Sequence, residues 1–255
     1  MPDYRTRGVI LSSMKLGEAD KIVRILSEKE GIIDAVAKGI RKTKSKFGGR
    51  LEPFTYSDLH LYQGRNLDII LQAETINPFK LIREDLRKVA LASISCDLIL
   101  RSQVDKSSER VLNLLLFFLS ELERAKDGLK ILLLIFETRL LSLLGYQPIL
   151  DVCCLCGSPL EGRRFSFDFG GEGLVCGSCR PTTTASVSIS GSSLLLLRWL
   201  FERSPRQWQE ISDRSKGVAQ VEELLEKYLA YHLEKKPKSY QFLRLMESAE
   251  GFSDN

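Results

Sequence analysis

Four cysteines, arranged as two Cys-x-x-Cys pairs, have the residue types and spacing of a metal site. The pairs are Cys153/Cys156 and Cys176/Cys179, about twenty residues apart. Two thiolates at this spacing, with the turning backbone around them, enclose one side of a small ion, and two pairs complete a tetrahedral shell. The spacing therefore predicts a structural zinc site with these four cysteines as ligands and Zn2+ as cofactor.

Other interpretations of these cysteines are less favourable. A disulfide framework is disfavoured, because the chain opens without a signal peptide and 255 residues can bury a hydrophobic core without disulfide bonds. A redox pair normally stands alone at a helix start, and a catalytic zinc needs an open position that four thiolates do not leave. Cys154 stays open as a competitor of Cys153 for the metal. Cys96 has apolar neighbours, which predicts a buried core thiol.

The elements around the cysteines divide the chain. Residues 3–75 show five short runs with strand character separated by turns, which predicts a small closed barrel, an OB-fold, with a β-sandwich as the competitor. Helical periodicity begins at Pro78 and returns after the cysteines, and residues 165–171 read as a hairpin between the two pairs. Thr182–Val187 reads as a polar linker. The predicted class is α+β: a five-stranded N-terminal OB-fold barrel followed by an all-helical domain with an inserted four-cysteine zinc finger.

The domain boundaries follow from this division. Residues 1–77 are the predicted OB-fold, 78–150 and 182–255 the two parts of the helical domain and a C-terminal tail, and 151–181 the zinc finger. The longest apolar runs are far shorter than the ~20 residues that span a bilayer, which predicts a cytoplasmic protein without a membrane partner.

Positive charge is concentrated near the N-terminus. Residues 1–50 contain twelve Lys/Arg and six Asp/Glu, whereas the whole chain carries a formal charge of +4. Residues 38–50, between the third and fourth predicted strands, hold six basic residues, three glycines and no acid. Such a loop suits a phosphate backbone, which binds through charge and counterion release. The candidate nucleic-acid ligands are Lys38, Arg41, Lys42, Lys44, Lys46 and Arg50.

Aromatic residues near this loop have two interpretations. Phe47, Tyr56 and Tyr62 can stack on unpaired bases, as aromatics on OB-type surfaces do. The same residues, and Phe54, can instead pack in the barrel core.

No catalytic constellation accompanies these features. The two histidines, His60 and His232, lie on separate elements, and neither a phosphate-binding glycine loop of the Walker type nor a nucleophile elbow occurs. A binding module therefore fits better than an enzyme. Two rivals remain: a zinc-ribbon and OB-fold RNA-binding protein of transcription or translation, and a nuclease that uses carboxylates outside any known motif.

The chain resembles the RecO family of bacterial DNA repair proteins along nearly its whole length. The motifs are Tyr4–Leu11, Gly17–Asp20, Ala37–Lys46, Leu51–Phe54, Phe136–Leu141, Leu144–Pro148 and the two cysteine pairs in this order and spacing. The cysteines place it in the zinc-bearing branch of the family.

The resemblance implies a recombination mediator. Members of the family bind single- and double-stranded DNA, anneal complementary strands, and with RecR help to load RecA onto strands coated by single-strand-binding protein. A bacterial, nucleoid-associated location follows. The family also binds the acidic C-terminal tail of single-strand-binding protein on its helical domain. For that tail the sequence nominates Arg139, a cation beside the apolar Phe136 and Leu140; pairing of Arg139 with Glu137 is the alternative.

Overall fold

A computed structural model describes residues 3–102, 109–162, 164–179, 181–182, 186–212, 215–233 and 239–250. These residues form two compact units. The first contains the described residues of 1–124 and the last helix, and the second contains the described residues of 125–236. The four domain boundaries drawn from the sequence stay a prediction.

Five strands of the first unit form a closed barrel in the order β1-β2-β3-β5-β4. Neighbours in this order are antiparallel except β3 and β5, which are parallel. The predicted five-stranded OB-type barrel is confirmed. The strands are β1 (Asp3–Leu16), β2 (Asp20–Ser27), β3 (Ile32–Ala37), β4 (Tyr56–Tyr62) and β5 (Asp68–Asn77).

Alternating side chains fill the barrel. Ile25, Leu59 and Leu61 are fully buried members of its core. Gly8 lets β1 approach β2 closely, because a Cβ there would lie 2.6 Å from the Cγ2 of Ile25 and 2.7 Å from the carbonyl oxygen of Leu26. Any side chain at residue 8 would therefore push the two strands apart.

Helices α1 (Leu86–Arg101), α2 (Glu109–Arg124) and α6 (Ser239–Glu250) complete the first unit. The carboxylate of Asp85 caps α1 by accepting hydrogen bonds from the backbone amides of Arg87 and Lys88. The predicted helical periodicity begins at Pro78, but α1 itself begins only at Leu86, whose side chain is 65% exposed. Before α1, Lys80–Glu84 form a short 3-10 helix in which Ile82 is buried.

The described residues of the second unit combine three α-helices with a three-stranded sheet in the order β7-β6-β8. Its elements are α3 (Leu129–Leu143), β6 (Arg164–Asp168), β7 (Gly173–Val175), β8 (Ser186–Ser190), α4 (Gly191–Glu202) and α5 (Val218–His232). The predicted hairpin between the cysteine pairs is β6–β7. The interpretation of 182–187 as a linker is wrong at its end, because Ser186 and Val187 begin β8, which pairs with β6.

Two predicted regions lie outside the described residues: 183–185 of the linker and 251–255 of the C-terminal tail. Among the helices that the structure describes, none is both long and apolar enough to cross a bilayer.

Candidate metal centre and nucleic-acid interface

The four cysteine sulfurs of the two pairs converge in the second unit. The Sγ atoms of Cys153, Cys156, Cys176 and Cys179 all lie within 4.8 Å of one another. Those of Cys156 and Cys176 are 3.7 Å apart. Sulfurs bound at about 2.3 Å to a tetrahedral zinc lie about 3.8 Å from one another. The donor set and its size therefore fit a four-thiolate metal site.

Short backbone turns position each pair. In the first, the amide of Gly157 donates to the carbonyl of Cys153 at 2.9 Å, and the amide of Cys153 donates to that of Ser158 at 2.9 Å. Gly157 has a φ of +74°, a conformation that glycine adopts without strain. In the second pair, the amide of Cys179 donates to the carbonyl of Cys176 at 3.2 Å, directly after the β6–β7 hairpin. Each turn aims two thiols to one side.

Hydrogen bonds inside the cluster separate the pKa values of the thiols. Backbone amides, first that of Cys176, donate to the sulfur of Cys153 and lower the pKa of that thiol to about 6. Contacts with Ser158 lower the pKa of Cys156. The neighbouring sulfurs of Cys156 and Cys176 raise the pKa of Cys179 to about 12. A metal binds cysteines as thiolates, and the positive charge of a bound ion would favour deprotonation of Cys179.

The remaining two cysteines take other positions. Cys154 is not among the four clustered sulfurs; its amide donates to the carbonyl of Leu174 at 2.8 Å, and burial raises the pKa of its thiol. Cys96 is buried in α1, as predicted, and burial raises its pKa to about 12. Neither thiol is placed as a ligand.

Asp168 is a residue that the motif search missed. Its carboxylate is fully buried at the end of β6 and accepts from the amide of Gly171 (3.2 Å), the amide of Thr182 (2.9 Å) and the hydroxyl of Thr182 (2.5 Å). It therefore ties the hairpin turn to the chain that leaves the second cysteine pair. The sequence offered no signal for this role, because Asp168 takes a polar position in the alternating run Phe165–Phe169.

The cationic loop between β3 and β4 lies on the barrel surface with all six of its basic side chains exposed. The guanidinium of Arg41 donates to the carbonyl of Gly17 at 2.8 Å, the ammonium of Lys46 donates to that of Leu71 at 2.7 Å, and Arg50 donates to that of Lys46 at 2.6 Å. These bonds hold the loop against the β1–β2 turn and against β5.

The other three cations of the loop are Lys38, Lys42 and Lys44. Within the part of the chain that the structure describes, their side chains make no hydrogen bond or ion pair with the protein. The loop therefore presents charge that its own fold does not neutralise.

The aromatic candidates divide between core and surface. Phe47 and Phe54 are buried, with exposed fractions of 1% and 6%, so stacking on bases is excluded for Phe47. Tyr56 is half-buried, and burial raises the pKa of its hydroxyl. Tyr62 is 40% exposed at the end of β4 and is the most accessible of these aromatic residues.

Arg139 is tied to the end of a neighbouring helix. Its guanidinium donates to the carbonyls of Phe201, at 2.6 Å, and Arg203, which are the last carbonyls of α4. Burial lowers its pKa. Phe136 and Leu140, the predicted apolar companions, are buried at 1% and 0% exposure. The geometry gives Arg139 the position of a helix C-cap, and an acidic peptide would have to compete with two carbonyls.

Comparison with known proteins covers nearly the whole chain. Residues 1–79 match the family model "Recombination protein O N terminal", and residues 83–241 match "Recombination protein O C terminal". The similar curated proteins carry the name "DNA repair protein RecO".

Three of these relatives illustrate the similarity. One from Rubrobacter xylanophilus is 38% identical over 177 residues, 69% of this chain and 71% of its own. One from Frankia casuarinae is 36% identical over 95% of this chain and 99% of its own, and one from Dehalococcoides mccartyi is 32% identical over 97% of both. With the barrel, the helices and the cysteine cluster in place, the chain belongs to the recombination protein O (RecO) family.

Proposed function

We propose that this protein is a recombination mediator in DNA repair. It binds single- and double-stranded DNA, anneals complementary strands, and with RecR promotes loading of RecA onto DNA coated by single-strand-binding protein. Family membership and the names of the relatives support the role in DNA repair and recombination. The single observation that supports the DNA contact is the barrel loop with six exposed cations.

The proposed mechanism is physical and needs no catalytic group, so the protein is not an enzyme in this proposal. Two DNA strands repel each other through their phosphates. The cations of the loop, with Lys38, Lys42 and Lys44 unpaired among the described residues, neutralise phosphates of both strands and release counterions. Base pairing then supplies the sequence matching.

The proposal assigns zinc a structural role. The ion would be held by Cys153, Cys156, Cys176 and Cys179, whose sulfur separations fit it. It would supply the bonds that keep the two turns together, and it leaves no open position for chemistry. RecR, RecA and the tail of single-strand-binding protein, with Arg139 as the tail contact, are proposed partners. The proposed location is the bacterial cytoplasm, at the nucleoid.

Strand annealing tests the DNA contact. Complementary oligonucleotides coated with single-strand-binding protein are mixed with wild type or with the Lys38/Lys42/Lys44→Glu variant. The variant is expected to anneal at least about tenfold more slowly, because three phosphate contacts become repulsive. The matched control is Lys29/Lys80/Lys126→Glu, which changes net charge equally at exposed positions outside residues 38–50.

Each outcome has a distinct meaning. Equal loss in both variants would assign the effect to net charge and contradict the loop as the contact. Annealing by neither variant nor wild type would contradict the mediator proposal, and tighter binding of RNA than of single-stranded DNA would favour the RNA-binding rival.

A further inference from the structure

The outside of the barrel carries four aliphatic side chains in one row across four neighbouring strands. We call Met14, Ile22, Val36 and Ile69 the outer apolar row. Met14 is the register partner of Ile22, Ile22 of Val36, and Val36 of Ile69. Register partners project to the same face of a sheet. The row is therefore continuous from β1 through β2 and β3 to β5.

This face points away from the barrel core. The residues that follow the row along their strands, Val23 on β2, Ala37 on β3 and Ile70 on β5, are buried inside the barrel. Met14 is 49% exposed, and the other three members of the row are partly exposed. With neighbouring strands about 4.8 Å apart, the row is about 14 Å long. Outward positions of an antiparallel sheet normally carry polar residues, so a connected aliphatic row indicates a surface that another molecule covers.

Cations lie along one edge of the row. Lys38 is exposed and follows Val36 by two residues. The ammonium of Lys46 donates to the carbonyl of Leu71, two residues after Ile69, at 2.7 Å. The cationic loop thus begins beside the β3 member of the row and returns beside the β5 member.

The opposite edge is neutral. Arg24, two residues after Ile22, pairs with Asp34, two residues before Val36, at 3.2 Å. On the cationic edge the carboxylate of Asp20, two residues before Ile22, accepts from the amide of Gly39 at 2.7 Å, and Lys38 and Lys46 form no ion pair among the described residues. Positive charge without an ion-pair partner therefore lies on this edge of the row. A ligand that fits has an apolar part for the row and a negatively charged part for one edge.

On the basis of the DNA binding proposed above, we propose that the outer apolar row contacts the bases of unpaired DNA while Lys38 and Lys46 hold its phosphates. Single-stranded DNA has both required parts in one polymer: flat base faces that leave water on contact and a phosphate backbone beside them. In a duplex the base faces stack on one another and cannot reach the row. The row is therefore a determinant of preference for single strands, which phosphate contacts alone do not provide.

The test removes the apolar surface without changing charge. The row variant is Met14→Gln/Ile22→Thr/Val36→Thr. Threonine replaces the isoleucine and the valine because it is also β-branched and also favours a strand. The control variant is Ile76→Thr/Leu81→Gln/Leu86→Gln, which changes three exposed apolar residues outside the row. Melting temperatures of both are measured first. Affinities for a single-stranded oligonucleotide and for the duplex of the same sequence are then measured between about 50 and 200 mM salt. Over this range a protein that makes several phosphate contacts loses about 10³-fold in affinity, so the salt slope reports those contacts.

The row variant is expected to bind single-stranded DNA about tenfold more weakly and duplex DNA within about twofold of wild type. Its slope of log affinity against log salt should equal that of wild type, because no phosphate contact is lost. The control variant should match wild type in all measurements.

Three results would overturn the inference. Unchanged binding of single strands would remove the row from the DNA contact, and the row would then be a candidate protein surface. Equal weakening for duplex and single strands, or a shallower salt slope, would mean that the substitutions act through phosphate contacts. The Lys38/Lys42/Lys44→Glu variant is measured in parallel. If the lysine variant weakens binding and the row variant does not, the inference about the outer apolar row fails and the proposed function stands. If wild type itself binds no DNA, the proposed function is contradicted.

Discussion

His232 lies at the end of α5 in an aromatic cluster of the second unit. Its ring stacks on Tyr146, with centroids 4.1 Å apart, and meets the edge of Tyr228 at 4.5 Å. Burial lowers the pKa of His232, and the charge of Glu172 opposes that shift in part. Among the described residues its Nε2 atom has no hydrogen-bond partner. The folded protein therefore favours the neutral imidazole.

A pH dependence follows from this pKa shift. Below about pH 6.5, the ordinary pKa of histidine, the unfolded chain binds a proton that the folded chain resists, so stability falls as pH decreases. His232→Phe keeps the stacked ring but cannot titrate. When the pH is lowered from about 7.5 to about 5.5, a range that includes the ordinary histidine pKa of about 6.5, the melting temperature of His232→Phe should fall less than that of wild type. Parallel curves for the two proteins would contradict the assignment.

Residue chemistry was predictable where it depends on local spacing. The four clustered cysteines belong to the two predicted pairs, because a Cys-x-x-Cys turn is a local structure. Asp168 was not predictable as a buried anchor, since its burial and its bond to Thr182 depend on how the hairpin packs. The same holds for Phe47, whose ring is in the barrel core although its neighbours in sequence are loop residues.

At the scale of elements, the end of α3 illustrates a structure that the sequence specifies locally. Gly145 has a φ of +87°. The amide of Tyr146 donates to the carbonyl of Leu141 at 2.9 Å, and that of Gly145 donates to Ser142 at 3.2 Å. These are the two bonds of a Schellman motif, and a glycine followed closely by a proline, as in Gly-Tyr-Gln-Pro, is typical of a helix stop.

Gly145→Ala should lower the free energy of unfolding by about 1 kcal/mol, the cost of a left-handed conformation with a Cβ. Among the described residues, apart from the two chain neighbours of Gly145, no atom lies within 4 Å of that Cβ, so the cost is one of backbone conformation and not of a clash. Gly49→Ala is the control, since Gly49 has equal space and no positive φ. Urea titration followed by circular dichroism measures both. Equal effects of the two substitutions would contradict the conformational explanation.

Elements that depend on distant partners were harder to predict. Strand β8 follows a polar run and was read as linker, because its strand character comes from pairing with β6. Helical periodicity begins at Pro78, but α1 begins only at Leu86, because the extended backbone of Asp85, whose carboxylate caps α1, interrupts the helical path.

At the scale of the whole molecule, the described residues form two compact units, and the cysteine cluster and the cationic loop lie in different ones. Metal removal is therefore expected to destabilise the second unit while the barrel stays folded. Metal affinity adds directly to folding free energy when the site exists only in the folded state.

Cys176→Ser should lower the melting temperature of the second unit and the zinc content, while the Kd for single-stranded DNA changes less than about twofold. Cys154→Ser is the matched control, because Cys154 is the neighbouring cysteine outside the cluster. Differential scanning calorimetry, metal analysis and fluorescence anisotropy provide the three measurements. An unchanged melting temperature together with a loss of DNA binding would contradict the prediction that the cysteine cluster stabilises the second unit and does not bind DNA.

The sequence by itself determined the two cysteine pairs, the five barrel strands, the helix stop at Gly145 and the clustering of basic residues between β3 and β4. These depend on spacing, alternation and turn chemistry over a few residues. Only the tertiary structure decided which loop cations stay unpaired, that Arg139 caps α4, that Asp168 anchors the hairpin and that four aliphatic residues from four strands form one outer row. Barrel closure and strand register bring these residues together, and both are set by packing between segments that are distant in the chain.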